Sequence, residues 1–406
     1  MSVGLIRRIQ RLSARKIIWR RPQRRSVLLI DPSGIDILTQ FIAIEDIEIL
    51  DFEETNIWIL IRTILSLQFT TSAYVVAYIE VLQAKVVMTF IDNDVNFYKL
   101  KNLCPKTKFV AIQNGIRANY SGSPSLGFFD QLTIAHNETA LSSDYYCALG
   151  NASSQQLTPF IQTKVVTVGS LKNNLFISSK NEHNLVGDVV LISQYPPFPA
   201  HEVGRRIYFG NRFIPLADFY RIESTVAKLV AQYCASNRLS FTVCGKRDDT
   251  TADEYNFFEE SVGSLPWSFK SRSSTYSTYE IADSAKVIVS VDSTVGQEFF
   301  ARGKRVAFMS GRTQAADSVG LAQARDTNFG YPLDLSPTGK FWTNQATTAE
   351  LTRILDYLQA VTDEEWATEI APYNESLMAY QPGNPVFRKL LLDLGLTLID
   401  GVKTDA

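Results

Sequence analysis

A polar corner near position 293 has the residue types and spacing needed to bind an anion. An apolar run at 287–291 leads into Ser293 and Thr294, and Glu298 follows Thr294 by four residues in a segment with helical spacing. Hydroxyl groups and the first N–H groups of a helix can bind phosphate, and the helix dipole favours negative charge there. A helix cap explains the Ser-Thr pair about equally well, and an acid in the first turn is typical of a capping box.

The elements around this corner predict a parallel sheet. The run at 287–291, a helix-like segment ending at Gly303 and a second apolar run at 306–309 indicate a strand, a tight turn, a short helix and another strand. Ligands of such sheets bind just beyond the carboxyl ends of the strands. The polar corner therefore lies where a phosphate or a sugar would bind.

Two more predicted strands in this half of the chain end in polar residues. Ser193 follows the strand at 188–192, and Lys246 and Arg247 follow the strand at 239–244. If the sheet is parallel, these strand ends meet the polar corner in one crevice. Lys246 and Arg247 could neutralise the negative charge of a bound phosphate. The alternative is an ordinary polar loop, because loops at strand ends are often polar.

The segment STVGQEFFARGKRVAFMS at 293–310 carries a family resemblance. It resembles the S-T-x-x-x-E-x-x-x-x-G-K-x-V-x-x-x-S segment of GT-B glycosyltransferases that build bacterial surface polysaccharides. It is especially similar to surface carbohydrate biosynthesis proteins and to relatives that transfer Kdo, an acidic eight-carbon sugar, from CMP-Kdo. The resemblance implies a nucleotide-sugar domain in this half, with Glu298 accepting hydrogen bonds from ribose hydroxyls. The stretch VTVGSLKNN at 166–174 also resembles a G-S-x-[RK]-x-N feature of this family.

Glycosyl transfer needs a base for the acceptor hydroxyl or a carboxylate nucleophile, because positive charge builds at the anomeric carbon. The N-terminal half offers three acids near predicted strand ends, and we rank them Asp92, Glu138 and Asp31. A predicted strand at 130–135 places Glu138 in this set, and each acid could equally be a turn or cap residue. The same strand ends offer four candidates for substrate binding, with the last as a clamp for an anionic sugar or acceptor: Asn93, Gln113, Asn114 and Arg117.

Composition excludes several other functions. A net charge of −2 over 406 residues argues against binding nucleic acid, because proteins that bind nucleic acid usually have an excess of basic residues. The four cysteines are far apart without CxxC spacing, and the three histidines form no HExxH motif, so we expect neither disulfides nor a metal site. No GxGxxG or Walker motif is present, so we expect no cofactor and only a CMP- or UDP-linked sugar as donor.

The first 25 residues are strongly basic. Nine of them are Arg or Lys and none is acidic, and Leu5, Ile6, Ile9 and Leu12 recur at helical spacing. This pattern favours a basic amphipathic helix that lies on an anionic membrane, and the alternative is a solvated arm that docks on its own domain or on a partner. No stretch has the length and hydrophobicity of a membrane-spanning helix or a secretory signal.

The length and the alternation of predicted elements indicate an α/β protein with two Rossmann-like domains facing across a cleft. We predict an N-terminal basic segment at 1–25, an acceptor and catalytic domain at 26–180 and a nucleotide-sugar domain at 188–375, joined by a polar linker at 178–187. The resemblance implies that the last segment, 376–406, crosses back to the first domain, as C-terminal helices do in GT-B proteins.

These observations predict a glycosyltransferase that moves a sugar from a nucleotide donor to a glycan or lipid-linked glycan acceptor. The expected location is cytoplasmic and peripheral on the inner face of the cell membrane. Two alternatives remain open at this point. One is a nucleotide-sugar epimerase or hydrolase on the same fold, and the other is a non-catalytic subunit of a polysaccharide assembly complex.

Overall fold

The computed structural model describes residues 16–67, 70–117, 127–177, 187–195, 206–209, 212–248, 252–312 and 329–399. Two six-stranded sheets, both entirely parallel, form the centres of two domains. In the described part of the chain, no helix is both long and apolar enough to cross a membrane.

The N-terminal domain contains, in chain order, β1 (Lys16–Ile18), β2 (Val27–Ile30), α1 (Ile35–Leu38), β3 (Ile47–Leu50), β4 (Glu54–Asn56), α2 (Ile57–Leu65), α3 (Thr71–Leu82), β5 (Val86–Thr89), α4 (Val95–Leu100), β6 (Lys108–Ile112), α5 (Phe128–Glu138), β7 (Leu141–Ala148), α6 (Asn151–Leu157), β8 (Ile161–Thr167) and α7 (Leu171–Leu175). The order in its main sheet is β3-β2-β5-β6-β7-β8, and β1 pairs separately with β4. The central strands β2 and β5 are buried along their whole length, because helices cover both faces of a parallel sheet.

The C-terminal domain contains β9 (Val189–Ile192), β10 (Arg206–Phe209), β11 (Arg212–Pro215), α8 (Leu216–Asn237), β12 (Phe241–Cys244), α9 (Asp253–Val262), β13 (Ser268–Lys270), α10 (Ser277–Asp283), β14 (Val287–Ser290), α11 (Thr294–Ala301), β15 (Val306–Met309), β16 (Trp342–Thr343), α12 (Thr348–Ala360), α13 (Asp363–Ile370) and α14 (Asn374–Leu377). Its main sheet has the order β13-β12-β9-β14-β15-β16, and β10 and β11 form a separate antiparallel pair. The described chain ends with α15 (Pro385–Asp393).

The last helix crosses back onto the first domain. Phe387, Leu390 and Leu391 of α15 belong to the same buried cluster as Val27 and Val86 of the N-terminal sheet. This packing is the crossing-back that the family resemblance implied. It makes the C-terminal segment part of the N-terminal core.

Two sequence-based element predictions fail. The predicted strand at 130–135 is wrong, because these residues lie in the middle of the helix α5 and the strand of this region is β7. The predicted basic helix is also wrong for the part of 1–25 that is described, since residues 16–18 form the strand β1 against β4. Residues 1–15 lie outside the described residues, as does the predicted linker over 178–186.

The junction between β8 and α7 bends sharply at Gly169, which has a φ of +70°. A Cβ atom on this residue would stand 1.9 Å from the carbonyl oxygen of Ala379. Next to it, the Asn174 amide donates to the side chain of Asn384 at 2.8 Å and accepts from the backbone N–H of Gln381 at 2.9 Å. The G-S-x-K-x-N segment therefore joins the returning C-terminal chain to the first domain.

We expect Gly169→Ala to lower the free energy of unfolding by more than about 3 kcal/mol, because it adds a backbone clash to the strain of a positive φ. Gly303→Ala is the matched control. Gly303 has a φ of +82° but nothing within 4 Å of its Cβ position, so the cost is only about 1–2 kcal/mol. Urea unfolding measures both values, and equal losses would contradict the role of the contact with Ala379.

Candidate functional site

The register of the second sheet brings the predicted anion-binding residues to one edge. Ile192 of β9 pairs with Cys244 of β12 on one side and with Ser290 of β14 on the other. The residues that follow these three strands, including Ser193, Lys246 and Ser293, therefore leave the sheet at the same level. The predicted meeting of these strand ends at one edge of a parallel sheet is the arrangement in the structure.

A buried carboxylate holds the first two of these turns together. Glu254, near the start of α9, accepts a hydrogen bond from the Ser193 hydroxyl and further bonds from the backbone N–H groups of Lys246 at 2.9 Å and Arg247 at 3.2 Å. The Ser193 hydroxyl therefore already has a hydrogen-bond partner within the protein. The Lys246 residue is exposed, but desolvation by the neighbouring protein lowers the pKa of its ammonium group. The negative charges of Glu223 and Glu254 act in the opposite direction and raise this pKa.

Ser293 caps the helix α11 and Thr294 is its first residue, as expected if the Ser-Thr pair serves as a helix cap. The Ser293 hydroxyl accepts from the backbone N–H of Val295 at 3.3 Å. The Thr294 hydroxyl accepts from the backbone N–H of Ile116, in the loop after β6 of the other domain, at 3.4 Å. A Cβ on Gly115 would lie 3.4 Å from the same hydroxyl oxygen, so a small residue lets the two domains approach here. The polar corner consequently faces the strand ends of the N-terminal domain.

Glu298 lies in the contact between the domains. Its carboxylate is buried and accepts hydrogen bonds from the hydroxyl groups of Ser170 and Tyr279, one on each oxygen. The Asn173 amide of the first domain donates to the Glu298 carbonyl at 3.1 Å. Burial raises the pKa of Glu298, and these hydrogen bonds oppose the shift. In this arrangement Glu298 fixes α11 against α7, and its predicted contact with ribose hydroxyls stays a prediction.

Arg312 forms a buried charged cluster at this edge that the sequence reasoning missed. Its guanidinium contacts both oxygens of Asp292 and donates to Glu223 Oε1 and Gln194 Oε1, each at 2.9 Å. Burial raises the pKa of Glu223 to about 7, an effect that Arg312 opposes and Asp292 reinforces. Arg312 could have been found from the sequence, because it follows the strand β15 by three residues. Glu223 could not, because it lies within the long helix α8 and no neighbouring residue indicates its role.

Across the cleft, Asp92 and Arg117 form a second buried pair. Asp92 is fully buried after β5, and its Oδ2 accepts from Arg117 Nε at 3.1 Å and from the Tyr146 hydroxyl at 2.9 Å. Its Oδ1 accepts from Arg117 Nη2 and from the backbone N–H of Asn114. The Asn114 side chain accepts a further bond from Arg117. Asp92 therefore orients Arg117, while Arg117 stays partly accessible.

The other predicted residues of this domain have separate positions. Gln113 is buried, and its side chain bonds to Gly115, Leu149 and Ser153, so it ties the end of β6 to α6. Asn93 is exposed in the turn after β5.

Glu138 does not lie at a carboxyl strand end. It is the last residue of α5, exposed and paired with Lys99 at 3.6 Å. Since α5 leads into the start of β7, Glu138 lies at the opposite edge of the sheet. The placement that made it a catalytic candidate is wrong, because residues 130–135, predicted as a strand, lie within the helix α5.

Asp31 lines a cavity of about 350 Å³ at the carboxyl end of β2. Its φ of +73° is a left-handed conformation that aspartate tolerates, and its side chain accepts from the backbone N–H of Ser33 at 2.8 Å. Other polar residues of the lining are Thr71, Ser72, Thr89, Asp94 and Asn96. The cavity has the mixed apolar and polar lining of a small-molecule site.

A larger depression of about 780 Å³ lies on the C-terminal domain between α12 and α13. Its lining includes Lys340, which comes just before β16, and Val361, which follows α12. It is therefore at the amino ends of the strands, away from the cleft. Among the described residues no group of three His, Cys, Asp or Glu could hold a metal ion.

Two facing parallel sheets with a C-terminal helix that returns to the first domain define the GT-B fold, which confirms the fold predicted from the sequence. Residues 110–394 match the model of a family described as "putative O-antigen biosynthesis protein". This match covers more than half of the chain, so the protein belongs to that family. No curated protein gives a significant match.

Solved structures with similar folds include HepE of Anabaena in complex with UDP, at 14% identity and a TM-score of 0.51 over 91% of this chain and 99% of that chain. A UDP-GlcNAc 2-epimerase from Neisseria meningitidis bound to UDP-GlcNAc is 12% identical over 92% of this chain and 99% of that chain, with a TM-score of 0.43. The wall teichoic acid polymerase TagF is 9% identical over 91% of this chain and 89% of that chain, with a TM-score of 0.48.

We expect Glu223→Gln to flatten the pH dependence of stability. The folded protein holds the proton of Glu223 more tightly than the unfolded chain does, so this stabilisation is present at low pH and is lost as the pH rises from about 4.5 to about 7. At about 1.4 kcal/mol per pKa unit, the loss is at most about 3–4 kcal/mol. Glutamine retains the shape but cannot titrate.

Urea unfolding at pH 4.5, 5.5, 6.5 and 7.5 measures this effect as the difference between wild type and variant. Taking the difference removes the contribution of Glu298, whose raised pKa acts in the same direction. Parallel curves for the two proteins would show that Glu223 does not titrate in this window.

Proposed function

We propose that the protein transfers a sugar from a nucleotide donor to an acceptor during the assembly of a bacterial surface glycan. The observation that carries this proposal is the convergence of Lys246, Ser293 and the start of α11 at one edge, opposite Arg117. Membership of an O-antigen biosynthesis family supports the pathway class. The proposal includes the predicted location, cytoplasmic and peripheral on the inner face of the membrane.

The donor phosphates bind, in this proposal, between the Lys246 ammonium and the amino end of α11. Both provide positive charge or N–H donors for an anion. Arg247 and the Thr294 hydroxyl flank this position. The buried pair of Arg312 and Asp292 holds the strand ends around it without needing to contact the donor. Such fixed donors stabilise charge that develops on a leaving phosphate.

Arg117 is the proposed contact for an acidic donor sugar such as Kdo. The bonds to Asp92 and Asn114 use its Nε and Nη2, and its Nη1 makes no hydrogen bond to a described residue. A guanidinium held in this way is pre-oriented for a carboxylate of the substrate. Because Asp92 is fully buried and accepts several bonds, we assign it the positioning of Arg117 and not proton transfer.

Asp31 is the proposed base on the acceptor side, since it lines a cavity large enough for part of a sugar. In the reaction, the acceptor hydroxyl oxygen bonds to the anomeric carbon of the donor sugar. The bond from that carbon to the phosphate oxygen breaks, and the phosphate leaves with the bonding electrons. The acceptor proton goes to the Asp31 carboxylate.

We expect one nucleotide in a panel of CMP, UDP, GDP and ADP to raise the melting temperature, because a ligand of the native state stabilises it by mass action. Lys246→Met should weaken binding of this nucleotide by about tenfold, equivalent to one charge-assisted contact of about 1.4 kcal/mol. Lys228→Met, at an exposed position of α8, is the control and should leave the affinity unchanged. Titration calorimetry measures both affinities. Failure of all four nucleotides to bind would refute the donor site.

We expect Arg117→Lys to lower kcat/KM for an acidic sugar donor by about tenfold or more, because a lysine has one nitrogen and cannot bond to Asp92 in the same way while a second nitrogen contacts the substrate carboxylate. Product formation from CMP-Kdo, with a glycan acceptor, measures the effect, and a neutral UDP-sugar serves as the comparison donor. Equal losses for both donors would contradict recognition of an acidic sugar. Conversion of the donor without any acceptor would instead favour an epimerase or a hydrolase.

A further inference from the structure

The helix α2 has its apolar side chains on the wrong face for a core helix. Trp58, Ile61 and Leu65 recur at spacings of three and four, and their exposed fractions are 51%, 46% and 78%. The buried face contributes only Ile59 and Thr63 to the interior. This helix is therefore apolar mainly on its solvent side, the reverse of the usual surface helix.

Neighbouring residues extend this surface. Ile17 and Trp19, in and just after β1, are 49% and 71% exposed. The Trp58 indole N–H donates to the Trp19 carbonyl at 2.8 Å, which joins the two segments. We call the resulting surface the apolar face, and it consists of Ile17, Trp19, Trp58, Ile61, Ile64, Leu65 and Leu67. Single exposed apolar residues are ordinary, but a contiguous group of this kind marks an interaction site.

Two exposed arginines follow Trp19 in the chain and give the apolar face a basic border. Arg21 and Arg24 are exposed and form no ion pair with a described residue. In the sequence, residues 1–15 precede Lys16 and contain four arginines and no acid. Aromatic and aliphatic side chains combined with a basic border are complementary to an anionic lipid surface, into which the apolar groups insert while the charges contact the headgroups.

The apolar face is also close to the proposed acceptor site. Leu67 is four residues before Thr71, which lines the 350 Å³ cavity with Asp31. Four residues span at most about 14 Å. A bilayer in contact with the apolar face would therefore lie within reach of this cavity for a lipid-linked headgroup.

We propose that the apolar face of α2 and β1 docks on an anionic lipid bilayer and holds the Asp31 cavity against it. The docking surface goes beyond the proposed sugar transfer. The further statement that it presents a lipid-linked acceptor rests on that function.

Co-sedimentation with vesicles tests the docking directly, without donor or acceptor, so its result is independent of the transfer reaction. The chain of 406 residues should bind vesicles of phosphatidylcholine mixed with phosphatidylglycerol, and should bind pure phosphatidylcholine at least tenfold more weakly. High salt should weaken the binding, because it screens the basic border.

The triple variant Trp58→Ser, Ile61→Ser, Leu65→Ser should lose at least tenfold of the affinity for the anionic vesicles. The matched control is Leu103→Ser, Ile134→Ser, Leu392→Ser, at positions that are 56%, 45% and 58% exposed elsewhere on the surface. The control should bind like wild type. Circular dichroism and unfolding curves establish that both variants are folded, as expected for substitutions at exposed sites.

Quenching of Trp58 by brominated lipids provides a second readout, because it requires contact with acyl chains. In Trp58→Phe the quenched fraction of the total tryptophan fluorescence should be smaller than in wild type, because the indole at position 58 no longer contributes to it.

Three results would overturn the proposal. The first is unchanged vesicle binding by the Trp58 triple variant, which would mean that residues 1–15 act alone. The second is no binding of wild type to anionic vesicles. The third is a dimer in light scattering that only this triple variant abolishes, since a second copy would then cover the face.

Discussion

The buried carboxylate of Glu298 is the interaction on which the relation of the two domains depends. A carboxylate removed from water is costly unless polar partners replace the solvent. Ser170 of the first domain and Tyr279 of the second supply these partners, and Asn173 bonds to the same residue through its carbonyl. The carboxylate is fully satisfied only when both domains are in place. The helix that begins the proposed donor site is thereby held against the N-terminal domain.

Two buried arginine clusters then shape the sides of the cleft. In one domain Asp92 orients Arg117, and in the other Asp292 and Glu223 surround Arg312. In both cases an acid at or near a strand end fixes a long, flexible cation, which reduces the conformational entropy that substrate binding would otherwise remove. The difference is accessibility, because Arg117 is partly exposed whereas Arg312 is almost completely buried. Arg117 is thus suited to contact a ligand and Arg312 to support one.

The sheets were predictable because central parallel strands are continuous apolar runs, as at β5, β6, β9 and β14. Prediction failed where that signal was weak. The helix α5 has a mixed sequence that suited a short strand, and β7 (LSSDYYCA) contains enough polar residues to hide a strand within the sheet. The error moved Glu138 to the wrong edge. In the site, Lys246 and Ser293 were predictable because they follow the ends of strands. Glu223 was not, because it lies in the middle of a helix and no local sequence pattern indicates its role.

The sequence by itself determined the two-domain α/β architecture, the edge where an anion would bind and the basic character of the first segment, because these depend on local periodicity and on residues near strand ends. Only the tertiary structure decided which polar groups are already occupied. It paired Asp92 with Arg117, turned Glu298 into a contact between domains and left the apolar side of α2 facing solvent. These outcomes join residues far apart in the chain, and no local pattern records the distance between side chains that meet only after folding.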